Sequence, residues 1–154
     1  MSMVDITKKP EVYREATAKG TIKLKKETIQ RIKEGKIEKG DPFEIAKIAG
    51  ILAAKNTSEL IPLCHPIPLT SIEIKPKIIE DSTIEVEATV KTKAQTGVEM
   101  EALVAVTTTL LTIWDMTKQY EKDVKGQYPK TIIEKIFIVK KLKVDKNESN
   151  YTKT

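Results

Sequence analysis

Two alternating stretches separated by two residues constrain this chain more than any other feature in it. Ser71 to Glu80 and Thr83 to Lys93 each place apolar side chains at every second position, with Asp81-Ser82 between them as a turn. Period-two patterning with so short a break describes a hairpin with one buried face, so the fold must contain an antiparallel sheet. Ala18 to Lys25 also alternates and reads as a strand, while residues 1–15 before it read as irregular. Glu27 to Glu34 carries Ile29 and Ile32 at helical spacing, and Gly35 is placed to end that helix. A second helix starts with Asp41 as N-cap, Pro42 in the first turn and Glu44 at the capping-box position. It continues through Ile45, Ile48, Ala49 and Leu52 to near Lys55.

Thr96 to Gln119 reads as a long helix of roughly 35 Å, and Lys130 to Val144 as a last strand rich in Ile and Val. Leaving aside the extra short helix, the order is β-α-β-β-α-β. That is an α+β fold of the ferredoxin-like split kind, an antiparallel sheet with helices on one face. Residues 1–144 read as one domain, and the polar stretch 145–154 as a disordered tail. On the long helix, Val98, Ala102, Ala105, Val106, Leu110, Ile113, Trp114 and Met116 cover one broad side. Val104 and Leu111 nevertheless fall among Glu101, Thr108, Asp115 and Lys118 on the other. A helix apolar on both sides is covered on both sides, and a second subunit is the natural cover beyond the sheet.

Composition narrows the function classes. No apolar run approaches a membrane span and no signal-peptide core is present, so the expectation is a soluble cytoplasmic protein. A single cysteine permits no internal disulfide, and one His with one Cys cannot close a zinc shell, so no metal is expected. The net charge of +5 comes from 25 Lys and two Arg against 22 acids. It favours an anionic partner, nucleic acid or a phosphorylated small molecule, although a solvated Lys/Glu surface of the heat-adapted kind accounts for most lysines. With only two arginines, Arg14 in Glu11-Val-Tyr-Arg-Glu15 is a candidate phosphate fork, and Arg31 a surface residue. The predicted strands carry no ladder of aromatic residues, which argues against an RNA-binding sheet. The nucleotide-cradling glycine motifs are absent, so a phosphorylated ligand would have to be held by side chains such as Lys39, Arg14 and Lys118.

The only histidine and the only cysteine stand together in Leu60-Ile-Pro-Leu-Cys-His-Pro-Ile-Pro-Leu69. Pro62, Pro66 and Pro68 fix φ and remove donors, so this is a stiff extended loop. A rigid loop presenting one imidazole suits a reactive or ligand-orienting group; Cys64 reads more readily as a small buried hydrophobe than as a nucleophile. Asp115 and Lys118, three apart on a helix, form either a surface ion pair or an acid/base pair. Glu99 occupies a capping-box position, whereas Glu101 has no structural duty and points toward the Asp115 side.

Several of these segments together resemble one family: Lys39-Gly-Asp41, Ile48-Ala-Gly-Ile51 with Ala53-Ala-Lys55, Leu60 to Pro66, Lys93 to Glu101, and Leu111-Thr-Ile-Trp-Asp-Met-Thr-Lys118. They resemble the cyclic pyranopterin monophosphate synthase accessory proteins of molybdenum cofactor biosynthesis, from Val4 to Asp123. The resemblance implies a catalytic domain over 1–144, assembled as a homohexamer, a trimer of dimers with active sites at the dimer interface. It implies a lyase that converts 3′,8-cyclo-7,8-dihydro-GTP, supplied by a radical SAM GTP cyclase, to cyclic pyranopterin monophosphate with release of pyrophosphate. No protein cofactor is implied, with Mg²⁺ on the triphosphate left open. Position by position it puts catalytic roles on Asp115, Lys39 and Lys118. Substrate contacts fall on Leu63, Cys64, His65, Met100, Glu101 and Arg14, with Glu99 beside them. One stretch departs from the family pattern. Where the family has a Lys-Ser/Thr-Gly-Gly-Lys-Ser-Gly run, this chain has Lys140-Lys-Leu-Lys-Val-Asp-Lys146, without glycine, and Lys141 stands near the first lysine. A nucleic-acid-binding module and a catalytically silent scaffold are the competing readings.

Overall fold

The computed structural model describes residues 1–145, so the tail expected to be disordered lies outside the described residues apart from Asp145. In chain order the elements are β1 (Val12–Lys23), α1 (Lys26–Lys33), α2 (Pro42–Lys55), α3 (Thr57–Leu60), β2 (Ser71–Glu80), β3 (Thr83–Ala94), α4 (Glu99–Glu121) and β4 (Ile132–Val144). The four strands form one sheet in the order β2-β3-β1-β4, with every neighbouring pair antiparallel. β1 and β2 therefore run parallel with β3 inserted between them, the split arrangement expected of a ferredoxin-like α+β fold. The alternating hairpin sets this register: Ile72, Ile74 and Ile78 of β2 lie opposite Val90, Ala88 and Ile84 of β3.

The core lies between the inner face of the sheet and α4. Ala16, Ala18 and Ile22 of β1 and Ile84, Val86, Ala88 and Val90 of β3 pack with Ala102, Ala105, Val106, Leu110 and Ile113 of α4. Full burial of each Val, Leu or Ile side chain stabilises the fold by about 1.5–3 kcal/mol. On β1 and β3 the opposite face of the sheet is polar and internally paired, whereas β4 adds the exposed side chains of Phe137, Leu142 and Val144 to it. Lys19 bridges Glu85 at 3.1 Å and Glu87 at 3.3 Å, and the hydroxyls of Thr17 and Thr89 meet at 2.9 Å. α2 lies against α4, and Gly50 permits the approach. A Cβ there would stand 2.2 Å from Thr109 Oγ1 and 3.0 Å from the Ala105 carbonyl.

Several boundaries differ from the sequence expectation, each for a local reason. β1 begins at Val12, inside the stretch expected to be irregular, because Arg14 occupies an inward position and masks the alternation. Its Nε and Nη2 donate to the carbonyls of Ala94 and Gln95, both at 3.2 Å. α4 begins at Glu99 with Val98 as an N-cap that makes no side-chain capping bond. Glu99 therefore does not serve a capping box; its carboxylate pairs with Lys141 of β4. At α2 the Asp41 carboxylate does cap, accepting from Phe43 N at 2.8 Å and Glu44 N at 3.3 Å, while Glu44 turns to Lys47. Gly35 ends α1 with φ +66°, as its position required. The one-turn α3 was not anticipated.

Glu121, the last residue of α4, is fully buried and joins three elements. It accepts from Lys25 N at 3.0 and 3.2 Å, from the Thr131 hydroxyl at 2.8 Å, and from the Thr28 hydroxyl. The C-terminal end of α4 is thereby tied to the start of α1 and to the approach to β4, which fixes that end against the sheet.

Candidate active site

The expected site residues form two groups at opposite ends of α4. At its N-terminal end, the proline loop and the first turn of the helix enclose a cleft of about 530 Å³. Leu63, Cys64, His65, Glu99, Met100 and Glu101 all line it. Arg14 does not line the cleft, but its charge acts on Glu99, whose carboxyl is held below its ordinary pKa despite partial burial. Burial is the largest single influence and pushes it up, but the bond from Lys141, the Glu99 backbone N–H, the Lys141 charge and, least, the Arg14 charge together outweigh it. Lys141 of the glycine-free stretch thus reaches the rim of the cleft through Glu99.

Glu101 lies on the same side of α4 as Asp115 but, unlike it, is buried, at 3 % exposure, with the proline loop folded against it. Its Oε1 takes a weak contact from the Cys64 thiol at 3.8 Å, and its Oε2 is the one buried side-chain polar atom without a partner among the described residues. Burial pushes the Glu101 carboxyl up, and burial together with the Glu101 charge pushes the Cys64 thiol up. Cys64 is therefore kept as a protonated thiol, unsuited to nucleophilic attack. A buried carboxyl with one unpaired oxygen is suited to donate to, or accept from, a ligand entering the cleft.

At the other end of α4, Asp115 is flanked by two lysines. Lys118 Nζ lies 2.7 Å from Oδ1, and Lys39 Nζ lies 2.8 Å from Oδ2 and 2.9 Å from the Asp115 carbonyl. The bond from Lys118, followed by that from Lys39, pulls the Asp115 carboxyl down to about 2, and Asp115 in turn raises Lys118. Lys39 comes from the short loop before α2, which Glu38 fixes to α4. Glu38 N donates to the Tyr120 hydroxyl at 2.9 Å and Gln119 donates to the Glu38 carboxylate at 3.1 Å. Arg31 lies over the Tyr120 ring at 4.8 Å, so it is a packing residue. Two lysines around one carboxylate leave a net charge of +1, an arrangement chemically able to bind a phosphate and relay protons.

These groups do not meet within one chain. Fourteen residues of helix separate Glu101 from Asp115, a rise of about 21 Å. At about 100° per residue the two nonetheless lie within about 40° of the same side of α4, with Thr108 midway in height and azimuth. The strip between them carries Val104 and Leu111, the latter 55 % exposed. Ile45, Ile48 and Leu52 on the outer side of α2 are also about half exposed, while α2 turns Ala46, Gly50 and Ala54 inward.

Three further residues line the cleft and were not singled out from the sequence: Val4, Ile6 and Lys9. They approach His65 from the start of the chain, and no local pattern could have paired them with it. Among the described residues, no group of three His, Cys, Asp or Glu is arranged to hold a metal ion. No described helix is long and apolar enough to cross a membrane.

The family model described as the MoaC family matches residues 3–143. A protein of Saccharolobus solfataricus named probable cyclic pyranopterin monophosphate synthase is 58 % identical over 141 residues, covering 92 % of this chain and 94 % of its own length. A protein of the same name from Pyrococcus horikoshii is 56 % identical over 148 residues, covering 96 % and 92 % respectively. A third, from Sulfurisphaera tokodaii, is 56 % identical over 141 residues, covering 92 % and 93 %.

Proposed function

Because this chain belongs to the MoaC family, we propose that it is a cyclic pyranopterin monophosphate synthase of molybdenum cofactor biosynthesis. It is a lyase acting on 3′,8-cyclo-7,8-dihydro-GTP, delivered by a radical SAM GTP cyclase in the cytoplasm. The observation that carries the reading is the pairing of Lys39 and Lys118 around Asp115, because this reaction needs cations for a triphosphate and proton transfers at several ring positions. Lys39 and Lys118 engage the phosphates, and the net charge of +5 favours the approach of a polyanion. At about 2, Asp115 is a weak base while both lysines hold it. A phosphate that draws either ammonium away raises its basicity at the moment the substrate arrives. Such positioned proton transfer contributes typically about 10²–10⁴-fold in rate. In the cleft, His65 and the buried Glu101 hold the ring system, with Leu63 and Met100 as apolar walls. Arg14 acts through Glu99, holding the rim together with Lys141.

The reaction is completed between two subunits. A twofold axis passing beside Thr108, with the two α4 helices antiparallel, sets Asp115 and Lys118 of one chain at the level of Glu101 of the other. The apolar strip of Val104 and Leu111 supplies the contact such a dimer needs. Three dimers form the hexamer, for which the exposed side of α2 offers further apolar surface. Incubating the protein with the cyclised GTP intermediate should yield cyclic pyranopterin monophosphate and pyrophosphate, and Asp115→Asn should abolish product while leaving the oligomer intact. Near-normal turnover by that variant contradicts the assignment of Asp115.

A further inference from the structure

His65 is the only histidine of the chain, and one side of its ring is already engaged. Its Nε2 lies 2.7 Å from the backbone carbonyl of Val4. A carbonyl oxygen can only accept, so Nε2 must carry a proton. In the neutral imidazole the other nitrogen, Nδ1, then keeps its bare lone pair. The segment that bears this carbonyl is itself shaped. Asp5 Oδ1 accepts from Thr7 N at 2.9 Å, and Lys9 N donates to the Ile6 carbonyl at 2.9 Å. These bonds fold residues 4–9 into a turn whose Val4, Ile6 and Lys9 line the same cleft as His65.

We propose that residues 4–9 are a positioning strap for the histidine of the active site, in which the Val4 carbonyl holds the ring proton on Nε2 and leaves Nδ1 to face ligands. The contact is made by main chain, and the Val4 side chain itself is exposed, so the role belongs to the path of the strap rather than to a side chain. The consequence for substrate rests on the reading of the cleft given above; the tautomer does not. Neutral His65 can bond a ligand only as an acceptor at Nδ1, so it recognises an N–H or O–H group, and any proton it takes up arrives at Nδ1. Presenting Nε2 to a ligand would require the strap to leave.

Because no other histidine is present, ring ¹⁵N spectra of the uniformly labelled full chain report His65 without assignment. They are recorded at a pH where the imidazole is neutral and without substrate, so they decide the tautomer whether or not the protein turns over the nucleotide. The expected spectrum has a pyrrole-type Nε2 and a pyridine-type Nδ1, widely separated. A variant lacking residues 1–5 should bring the two resonances together toward the tautomer average of free imidazole. Asp5→Ala, which loosens the turn but retains the chain, should narrow the separation partway with the backbone amide spectrum otherwise unchanged. A pyrrole-type Nδ1 in the full chain, or ring shifts unmoved by both variants, overturns the proposal.

Discussion

Lys118 and Lys39 take the two carboxylate oxygens of Asp115 at 2.7 and 2.8 Å, and the pKa of about 2 follows from those two ammonium groups. The folded value lies below the ordinary 3.8. The stabilisation from this contact is therefore fully present above that ordinary value and is lost as pH falls through about 2. All three side chains are exposed, so the effect on overall stability is small, and the informative quantity is the titration itself. Carboxyl ¹³C titration of Asp115 should give a midpoint near 2. Lys118→Met should raise it toward the ordinary carboxylate value, and Lys39→Met should raise it less, since Lys118 is the larger cause. A midpoint indifferent to both lysines contradicts the account of how substrate phosphate activates the base.

At the scale of elements, the route from sequence to structure divides cleanly. The hairpin was legible in full because its alternation is uninterrupted and its burial one-sided: β2 spans Ser71–Glu80, and β3 extends one residue past the expected end. β1 was legible only from Ala18 onward, since the inward Arg14 looks like a loop residue until the carbonyls of Ala94 and Gln95 are beside it. Glu99 misled for the same reason. Its spacing from Thr96 satisfies a capping box, but Lys141 of a distant strand competes for the carboxylate and wins. The α2–α4 contact was not legible at all, because a glycine in a helix has no periodicity. It yields a prediction about stability. Gly50→Ala gains about 1 kcal/mol of helix propensity, but its Cβ would meet Thr109 Oγ1 at 2.2 Å and the Ala105 carbonyl at 3.0 Å. Separating the helices to admit it costs about 1–3 kcal/mol. Urea unfolding should therefore show a lower midpoint for the variant, with an unchanged slope, and a raised midpoint contradicts the packing described.

For the whole molecule, the long helix carrying both Glu101 and Asp115 was legible in its periodicity, and a site shared between subunits came only from the resemblance. Not legible was which loop joins which end: Lys39 meets Asp115 and the His65 loop meets Glu101, about 21 Å apart along α4. The distance follows from the helix being continuous from Glu99 to Glu121 and anchored at its end by buried Glu121. Separated in this way, the two groups make one site only if different chains supply them, as proposed. Glu101→Gln and Asp115→Asn should each be inactive alone as homo-oligomers. Co-expressed with different tags and purified as mixed oligomers, they should recover roughly a quarter of the wild-type rate, the share of sites left intact by random pairing in an isologous dimer. If Asp115 and Glu101 of the same chain serve one site, every site in the mixture carries a lesion, and the absence of any recovered activity would contradict the account.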